Sequence, residues 1–398
     1  MLIANLLAQL AFGLLAMTIC LPSMQEWSAI FGSSQAAVQL TFSGYVVAYG
    51  VLQLVYGPLS DRWGRKRVLM LGLAVACAGS VMAALAPDLN TLIAARVLQG
   101  AGCAAGMVVG RALVQDLFQG PQRTRVMAYV GMAMGLVPPV ATVMGGQLHV
   151  GLGWRANFVL IALLSVALFV AAWRGLPSHE KATEVQPHWL RVMASSYRQL
   201  VREPAFLCYV AILSSTTASF YAFLSGAPIV LGQYGVGPGG VGFYIMVGPL
   251  SYIVGNYLTT LLVHRVRERR IMLLGQTITV SGISLMAALS IAGLHTPLAF
   301  ALPMVLLGMG NGLLVPPALA GTVGLMPALA GAAAAVAGLT QQLMGAAGGF
   351  AVGLFTHEDA THLGLLMLAL AFIGVIGQLV LYCLRAPPTP PLKRLIPP

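Results

Sequence analysis

Charge is what this sequence has least of. Of 398 residues only 10 are acidic and 21 basic, so Asp, Glu, Lys and Arg together make up 8% of the chain. A soluble globular domain carries about 25%, and a chain this long with so few could not cover a surface facing water. Disorder is excluded as well, because it requires low hydrophobicity and high net charge. Cysteine is also scarce. Cys20, Cys77, Cys103, Cys208 and Cys383 lie singly in apolar runs, which argues against a disulfide framework and a zinc site. Glycine (46) and proline (23) are plentiful but follow no G-X-Y period, so collagen is excluded. No G-x-x-x-x-G-K-[ST] string offers an ATP site. No metal and no cofactor is expected.

What is present is apolar: 58% of the side chains are hydrophobic and the mean hydropathy is +0.87. The runs are long enough for membrane-crossing helices of about 20 residues, whereas a β-barrel would show short alternating segments. They fall at 2–24, 36–60, 67–87, 90–117, 126–150 and 154–174, then at 204–232, 240–264, 270–293, 296–320, 328–356 and 362–385. The opening MLIANLLAQL has no basic leader and reads as a retained first span. The expected fold is an all-α integral membrane protein of twelve transmembrane helices in two six-helix bundles. The divisions are a bundle over 1–175, a linker over 176–203, a bundle over 204–385 and a tail over 386–398. The second part of the linker, from about Trp189 to Val201, suits an amphipathic helix on the membrane surface.

The placement of charge tests this count. Net charge is +11, which in a soluble protein would suggest nucleic acid; here topology explains it, and no nucleic-acid partner is expected. With both termini cytoplasmic, 18 of the 21 basic residues fall in cytoplasmic segments and only Arg155 on the other side. Arg96 and Arg111 lie inside span four. Nine of the ten acids lie outside the spans, leaving Asp116 at the inner end of span four.

Several motifs carry the functional reading. Small residues four apart in span four (Gly102, Gly106, Gly110) suit close helix packing. Pro138-Pro139 in span five and Pro316-Pro317 in span ten remove backbone donors, as in helices that line cavities. Between spans two and three stands Gly57-Pro-Leu-Ser-Asp61-Arg62-Trp-Gly64-Arg65-Lys66-Arg67. It makes a tight turn whose basic cluster suits anionic headgroups. It also resembles the G-x-L-a-D-r-x-G-r-k signature of the major facilitator superfamily. The strings Arg96-Val-Leu-Gln99-Gly100 and Arg111-Ala-Leu-Val-Gln-Asp116-Leu are similar to those of its Bcr/CflA branch of drug:proton antiporters, as is Tyr221-Ala-Phe-Leu-Ser-Gly226-Ala-Pro228. Gly131, Gly135, Pro138, Pro139 and Gly145, with Gly146, resemble the glycine–proline motif of exporters.

The resemblance implies the major facilitator fold, no enzymatic activity, and a multi-pass place in a bacterial inner membrane. It implies proton-coupled, alternating-access export of amphipathic small molecules such as drugs, by a monomer in contact with lipid, with Gly57, Asp61, Gly64, Arg65 and Lys66 as the gate motif. One departure matters: the branch carries an Asp in its first helix where this chain has Thr18. Asp116 is then the remaining acid near a span, either an ion-pair partner of Arg65 at the inner gate or a proton-titrating group. Arg96, costing at least ~2.5–3.5 kcal/mol at that depth, needs a cavity or a partner. In the branch the matching Arg is tied to proton transfer or substrate contact; hydrogen bonds to carbonyls freed in span one are the structural alternative. For Arg111 the structural role is coordination of Asp116 or lipid phosphate.

The candidate cavity comprises Thr18, Tyr45, Tyr49, Tyr221, Phe223, Asn256, Asn311 and Gln341, with Asn5, Gln39, Gln53, Gln276, Gln342 and Gln378 as further polar positions. Each is open to a plain helix–helix bond instead. A cation and no interior acid favour neutral or anionic substrates. The alternative is an uptake carrier or facilitator for a metabolite, on the same fold. An intramembrane enzyme would need clustered acids or histidines, and a channel a filter-like ring; neither pattern is present.

Overall fold

The computed structural model describes residues 2–177, 198–326, 329–356 and 359–384, except the side chains of Pro121, Arg123, Thr124 and Ala128. Most of the expected linker, including its surface helix up to residue 197, and the tail from 385 onward lie outside the described residues. So do Glu180, Lys181, Glu184, Arg191, His357, Glu358, Lys393 and Arg394.

The first half runs through α1 (Leu2–Thr18), α2 (Met24–Phe31), α3 (Gln35–Trp63), α4 (Arg65–Ala84), α5 (Leu89–Leu117), α6 (Gly120–Leu152) and α7 (Arg155–Gly175). The second runs through α8 (Pro204–Gln233), α9 (Pro238–Ile245), α10 (Val247–Leu262), α11 (Glu268–Ile291), α12 (Pro297–Ala301), α13 (Met304–Gly324), α14 (Ala330–Val352) and α15 (Thr361–Cys383). Among the described residues, ten segments are long and apolar enough to cross a membrane, with α9–α10 and α12–α13 each counted as one segment. Seventeen-residue α1 and α14, diluted by glycine and by Thr340-Gln341-Gln342, fall outside that set.

Local chemistry accounts for the ends. Ser34 and Thr296 cap α3 and α12 by accepting from the amides three residues on, and Pro204, Pro238 and Pro297 open helices where no intrahelical N–H is needed. Asp88 caps α5, accepting from Thr91 N at 2.8 Å and Thr91 Oγ1 at 3.1 Å. These bonds hold its carboxyl below its ordinary value of 3.8. A lowered carboxyl stabilises the fold above its unfolded pKa, and the contribution is lost as pH falls through the folded value. Asp88→Ala should therefore lower the melting temperature at pH 7, and the gap to wild type should close on acidification below about 4, as read by scanning fluorimetry at both pH values.

The first span differs from the continuous run expected at 2–24. Helix α1 stops at Thr18, and tight turns from Ile19 to Ser23 lead around Pro22 into α2. Proline lacks the amide that would continue the ladder. Spans eight and ten are likewise split, at Met246 and at Leu302-Pro303. The paired prolines in α6 and α13, in contrast, stay within unbroken helices.

Packing within each half rests on small residues. Helix α5 lies against α3 and α4, and a Cβ at Gly102 would collide with the backbone of Gly72 and Ala76, one at Gly106 with the carbonyl of Gln9. In the second half α8 packs on α14 and α15, and α13 on α10 and α11. Trp27, Trp154, Phe158 and Phe31 form an aromatic cluster with centroids 5.6–6.2 Å apart. Trp27 is thus wholly buried.

Two ends of the bundle can be told apart. The basic end carries the Asp61–Arg67 turn, Arg125 and Arg265–Arg270; the far end carries Glu26, Asp88, Trp154 and Asp359. The halves meet through α3 on α14, α6 on α9 and α10, and α2 on α8.

Candidate transport site

Breaking α1 at Thr18 frees the carbonyls of its last turn, and such orphans require donors. Arg96 supplies them. Its Nη1 donates to Ala16 O at 2.9 Å and to Gln99 Oε1 at 2.5 Å, its Nη2 to Met17 O at 3.3 Å, and its Nε to Thr41 O at 3.4 Å. The guanidinium also lies 4.3 Å from the centre of the Tyr45 ring and 5.9 Å from that of Phe158. Arg96 is wholly buried, and its charge meets the negative end of the α1 dipole. Gln99 passes the chain on to Ser80 Oγ at 2.8 Å.

Thr18 is buried, its hydroxyl spent on Leu14 O at 2.9 Å. Tyr45 donates to Gly13 O at 2.7 Å, and Tyr49 stacks on it at 6.0 Å. Tyr49 is 2% exposed and its hydroxyl has no hydrogen-bond partner. Across the junction Tyr221 donates to Gln342 Oε1 at 3.2 Å and meets the Phe42 ring edge-on at 5.6 Å. These residues come together. Others do not: Phe223 stacks on Phe300 at 5.8 Å within the second half, Asn311 accepts from Thr279 at 3.0 Å, and Asn256 donates to Tyr252 O at 2.9 Å. Gln341 is half-buried beside Gln342, with which the sequence pairs it.

At the basic end, Gly64 takes φ +90°, a backbone that glycine alone adopts freely, and this lets α3 turn directly into α4. Arg65 then reaches Asp61 at 2.5 Å, Asp116 at 3.2 Å and Ser60 Oγ at 2.6 Å. Lys66 donates to Trp173 O at 2.6 Å and Leu176 O at 2.9 Å, closing the C-terminal turn of α7. Gly57 approaches Val108 of α5. On α6, Gly131 is open, Gly135 faces Ile253 of α10, and Gly145 sits against the Ile19 carbonyl where a side chain would clash. Pro138 precedes Pro139, whose carbonyl accepts from Thr142 at 2.9 Å.

Hydrogen bonds between the halves gather on the far side of the bundle. Gln25 donates to Pro228 O and Val236 O at 2.8 and 2.9 Å, Gln147 to Gly239 O at 2.9 Å, and Ser43 to Ala346 O at 2.9 Å. Gln39 and Ser225 exchange two more. Among pairs of described residues no hydrogen bond joins the halves at the basic end, where Arg62 and Arg67 hold partners of their own. Beside this zipper, His149 bridges Glu26 at 3.0 Å and Ser23 at 2.9 Å, and Asn157 donates to Ser23 at 3.0 Å. Sequence reasoning missed Gln25, Ser43, Gln147, Ser225 and the His149 bridge. Most of these partners are more than 100 residues apart, and no spacing rule joins them.

Two helical bundles, a carboxylate–arginine turn at one end and a polar junction at mid-depth define a multi-pass membrane transporter, not an enzyme. The chain belongs to the Major Facilitator Superfamily, whose sequence profile matches residues 1–349. It is 30% identical over 305 residues to the chloramphenicol resistance protein of Pseudomonas aeruginosa, spanning 74% of this chain and 70% of that one. Multidrug resistance protein D of Escherichia coli is 26% identical over 388 residues, covering 96% and 94%. Among solved structures, a D-xylose-proton symporter superposes with a TM-score of 0.75 at 14% identity, over 96% of this chain and 97% of that one, a likeness of fold.

Proposed function

We propose that the chain is a secondary active exporter of amphipathic small molecules, driven by protons and working by alternating access. Its twelve spans form bundles over 1–175 and 204–385, with both termini cytoplasmic and the linker 176–203 and tail 386–398 on that side. The observation that carries this reading is the one-sided junction. The halves are hydrogen-bonded on the far side, while at the basic end no hydrogen bond between two described residues crosses from one half to the other. That is the arrangement of an inward-facing state, which rocking of one bundle against the other would invert. Drug-resistance relatives at 26–30% identity support export over uptake.

In this reading the cavity forms where Tyr49, Tyr221 and Gln341 meet between the bundles, with Thr18, Tyr45 and Arg96 packed behind it at the α1 break, while Phe223, Asn256 and Asn311 serve packing of the second bundle. The Gly/Pro positions Gly131, Gly135, Pro138, Pro139 and Gly145 give α6 its play. Asp116 exchanges the proton: neutralising it removes one of the two carboxylates that hold Arg65 and loosens the turn of Gly57, Asp61, Gly64, Arg65 and Lys66. Arg96 serves coupling by holding the α1 break in place.

The uptake alternative draws on Thr18, since no described mid-span residue is an acid. Everted vesicles separate the two. Energised vesicles should accumulate chloramphenicol, lose it on adding a protonophore, and fall about tenfold in rate with Asp116→Asn, equivalent to ~1.4 kcal/mol. Tetraphenylphosphonium should accumulate poorly. Strong proton-driven accumulation of that cation, undiminished in Asp116→Asn, overturns both the substrate and the coupling assignments. Efflux-deficient cells gaining no protection against any amphipathic drug would favour uptake.

A further inference from the structure

The far end of the junction carries a titratable pair with no part in the gate turn or the α1 break. His149 stands in the last turn of α6 and Glu26 in the first turn of α2. Their side chains meet at 3.0 Å, Nε2 to Oε2. On the other side of the ring, Nδ1 lies 2.9 Å from Ser23 Oγ, which also accepts from Asn157 Nδ2 at 3.0 Å. His149 is 9% exposed and the Glu26 side chain 48%, so far-side water reaches the pair. A helix C-terminus favours positive charge and an N-terminus negative charge, so both helix ends suit the charged form of the pair.

The ring can gain a proton without moving. A carboxylate only accepts, so Nε2 carries a hydrogen while Glu26 is ionised. In the neutral ring Nδ1 accepts from the Ser23 hydroxyl; in the charged ring it donates to it. A hydroxyl oxygen has two acceptor positions, room for Nδ1–H and Asn157 together, so the switch needs only the turn of one O–H bond. Among the described residues Glu26 is the charge that faces the ring. Of the other elements packed on α6, α1, α9 and α10 carry no Asp, Glu, Lys, Arg or His, and their titratable groups are Tyr244, Tyr252 and Tyr257. The turn after α1 adds Cys20. Helix α7 brings Arg155, which donates to Ala86 O at 3.0 Å and lies over the Trp154 ring. On α5, Arg96 is spent on α1 and the capping Asp88 on Thr91, while Arg111, Asp116 and Arg174 of α7 lie toward the basic end.

The pair sits between two anchors of the junction. Gln25, beside Glu26, donates to Pro228 O and Val236 O, and Gln147, two residues before His149, donates to Gly239 O. By tying α2 to α6, the His149–Glu26 bridge makes these three crossings part of one unit.

We propose that His149 is a far-side proton-binding site whose protonation latches the two halves together at that end. An ion pair in place of a neutral hydrogen bond fastens α2 to α6 more tightly, and the three crossings then part together or not at all. The proton comes from far-side water and returns to it. Acid on that side therefore shifts the protein toward the state closed there, while the transported proton stays with Asp116. The inference rests on the alternating-access reading of the chain.

The test uses the full-length protein in lipid nanodiscs, with Cys77 and Cys383 replaced and spin labels on Leu85→Cys and Ile291→Cys. Both positions are exposed, at the far ends of α4 and α11, one in each half. Double electron–electron resonance reads the ratio of far-side-open to far-side-closed molecules between about pH 5.5 and 8.5, the range in which histidine ordinarily changes charge. A charged partner strengthens a hydrogen bond by up to about tenfold in equilibrium constant, and the exposure of Glu26 reduces that. The open-to-closed ratio should thus rise about threefold from the acid to the alkaline end. His149→Gln and Glu26→Gln should each flatten the profile, with melting temperature as the folding control. His295→Gln, at a far-end histidine of the second half that faces Asp359, should leave the profile unchanged. The His149-dependent rise should persist in Asp116→Asn. A rise of the same size in His149→Gln as in wild type overturns the latch. A wild-type distance that shifts with chloramphenicol but not with pH overturns the latch and leaves alternating access standing. A distance that neither chloramphenicol nor pH moves overturns both.

Discussion

Leucine in place of Arg96 is expected to destabilise the protein by several kcal/mol and to abolish transport of every substrate. The substitution strands the carbonyls of Ala16 and Met17 and frees Gln99 Oε1, all buried acceptors, and takes a second donor from the helical carbonyl of Thr41. Each stranded acceptor costs about 1–3 kcal/mol. Lost contact with the Tyr45 face adds about 0.5–2 kcal/mol. The lipid-inserted unfolded state, meanwhile, tolerates leucine better than arginine by about 3 kcal/mol or more, so the reference state shifts the same way. Lysine does not rescue. Its ammonium offers three donors from one point, whereas the arginine fork feeds four acceptors on α1, α3 and α5. Melting temperature and proton-driven uptake in vesicles should therefore fall together for Arg96→Leu and Arg96→Lys alike. A variant that keeps the wild-type melting temperature yet loses transport would show that Arg96 works by contacting substrate or tuning a proton site, and the structural account would fail.

This arginine illustrates how much of the architecture was legible in the chain. The scarcity of charge, the long apolar runs and the one-sided distribution of bases were enough to anticipate two helical bundles, because lipid leaves few options for backbone polar groups. The gate turn was legible for a similar reason: Gly64 needs φ > 0, and the residues it joins are adjacent in sequence. Arg96 could be read as needing a partner, and carbonyls from span one were among the possibilities. The break points of α1, α9–α10 and α12–α13 were not legible, because hydropathy averages over a turn that costs only a few hydrogen bonds.

The site was less readable than the fold. Tyr45, Tyr49, Tyr221 and Arg96 were identifiable as polar or aromatic groups at unusual depth. Phe223 and Asn311 have the same credentials, yet they turn into the second bundle. Which way a residue faces depends on the rotation of its helix. Hydropathy fixes that weakly when all sides of a helix are apolar. Gln25 and Gln147 fall at the ends of spans, where a glutamine is unremarkable until its partner 92 to 211 residues away is known.

Joining the halves covalently on the far side should stop transport altogether. In the structure Val150 of α6 and Gly239 of α9 face each other, with a Cβ at Gly239 falling 3.1 Å from Val150 Cγ2. Cysteines at 150 and 239 would have Cβ atoms near the upper end of the ~3.5–4.5 Å that a disulfide spans. The neighbouring bond from Gln147 to Gly239 O holds that register. Opening the far side also breaks six interbundle hydrogen bonds, from Gln25, Gln39, Ser43, Gln147 and Ser225. At about 0.5–1.5 kcal/mol net each, they form a barrier that closure of the basic end and bound ligand can offset. A disulfide cannot be offset in this way. In a background with Cys77 and Cys383 replaced, the oxidised Val150→Cys/Gly239→Cys protein should lose nearly all proton-driven transport, and a reductant should restore it. Each single cysteine should behave as the background does. Under the inward-facing reading proposed above, substrate binding from the basic end should persist in the locked form. Full transport with the disulfide quantitatively formed would mean that the halves never part at Val150 and Gly239, and alternating access by rocking would have to be abandoned for this protein.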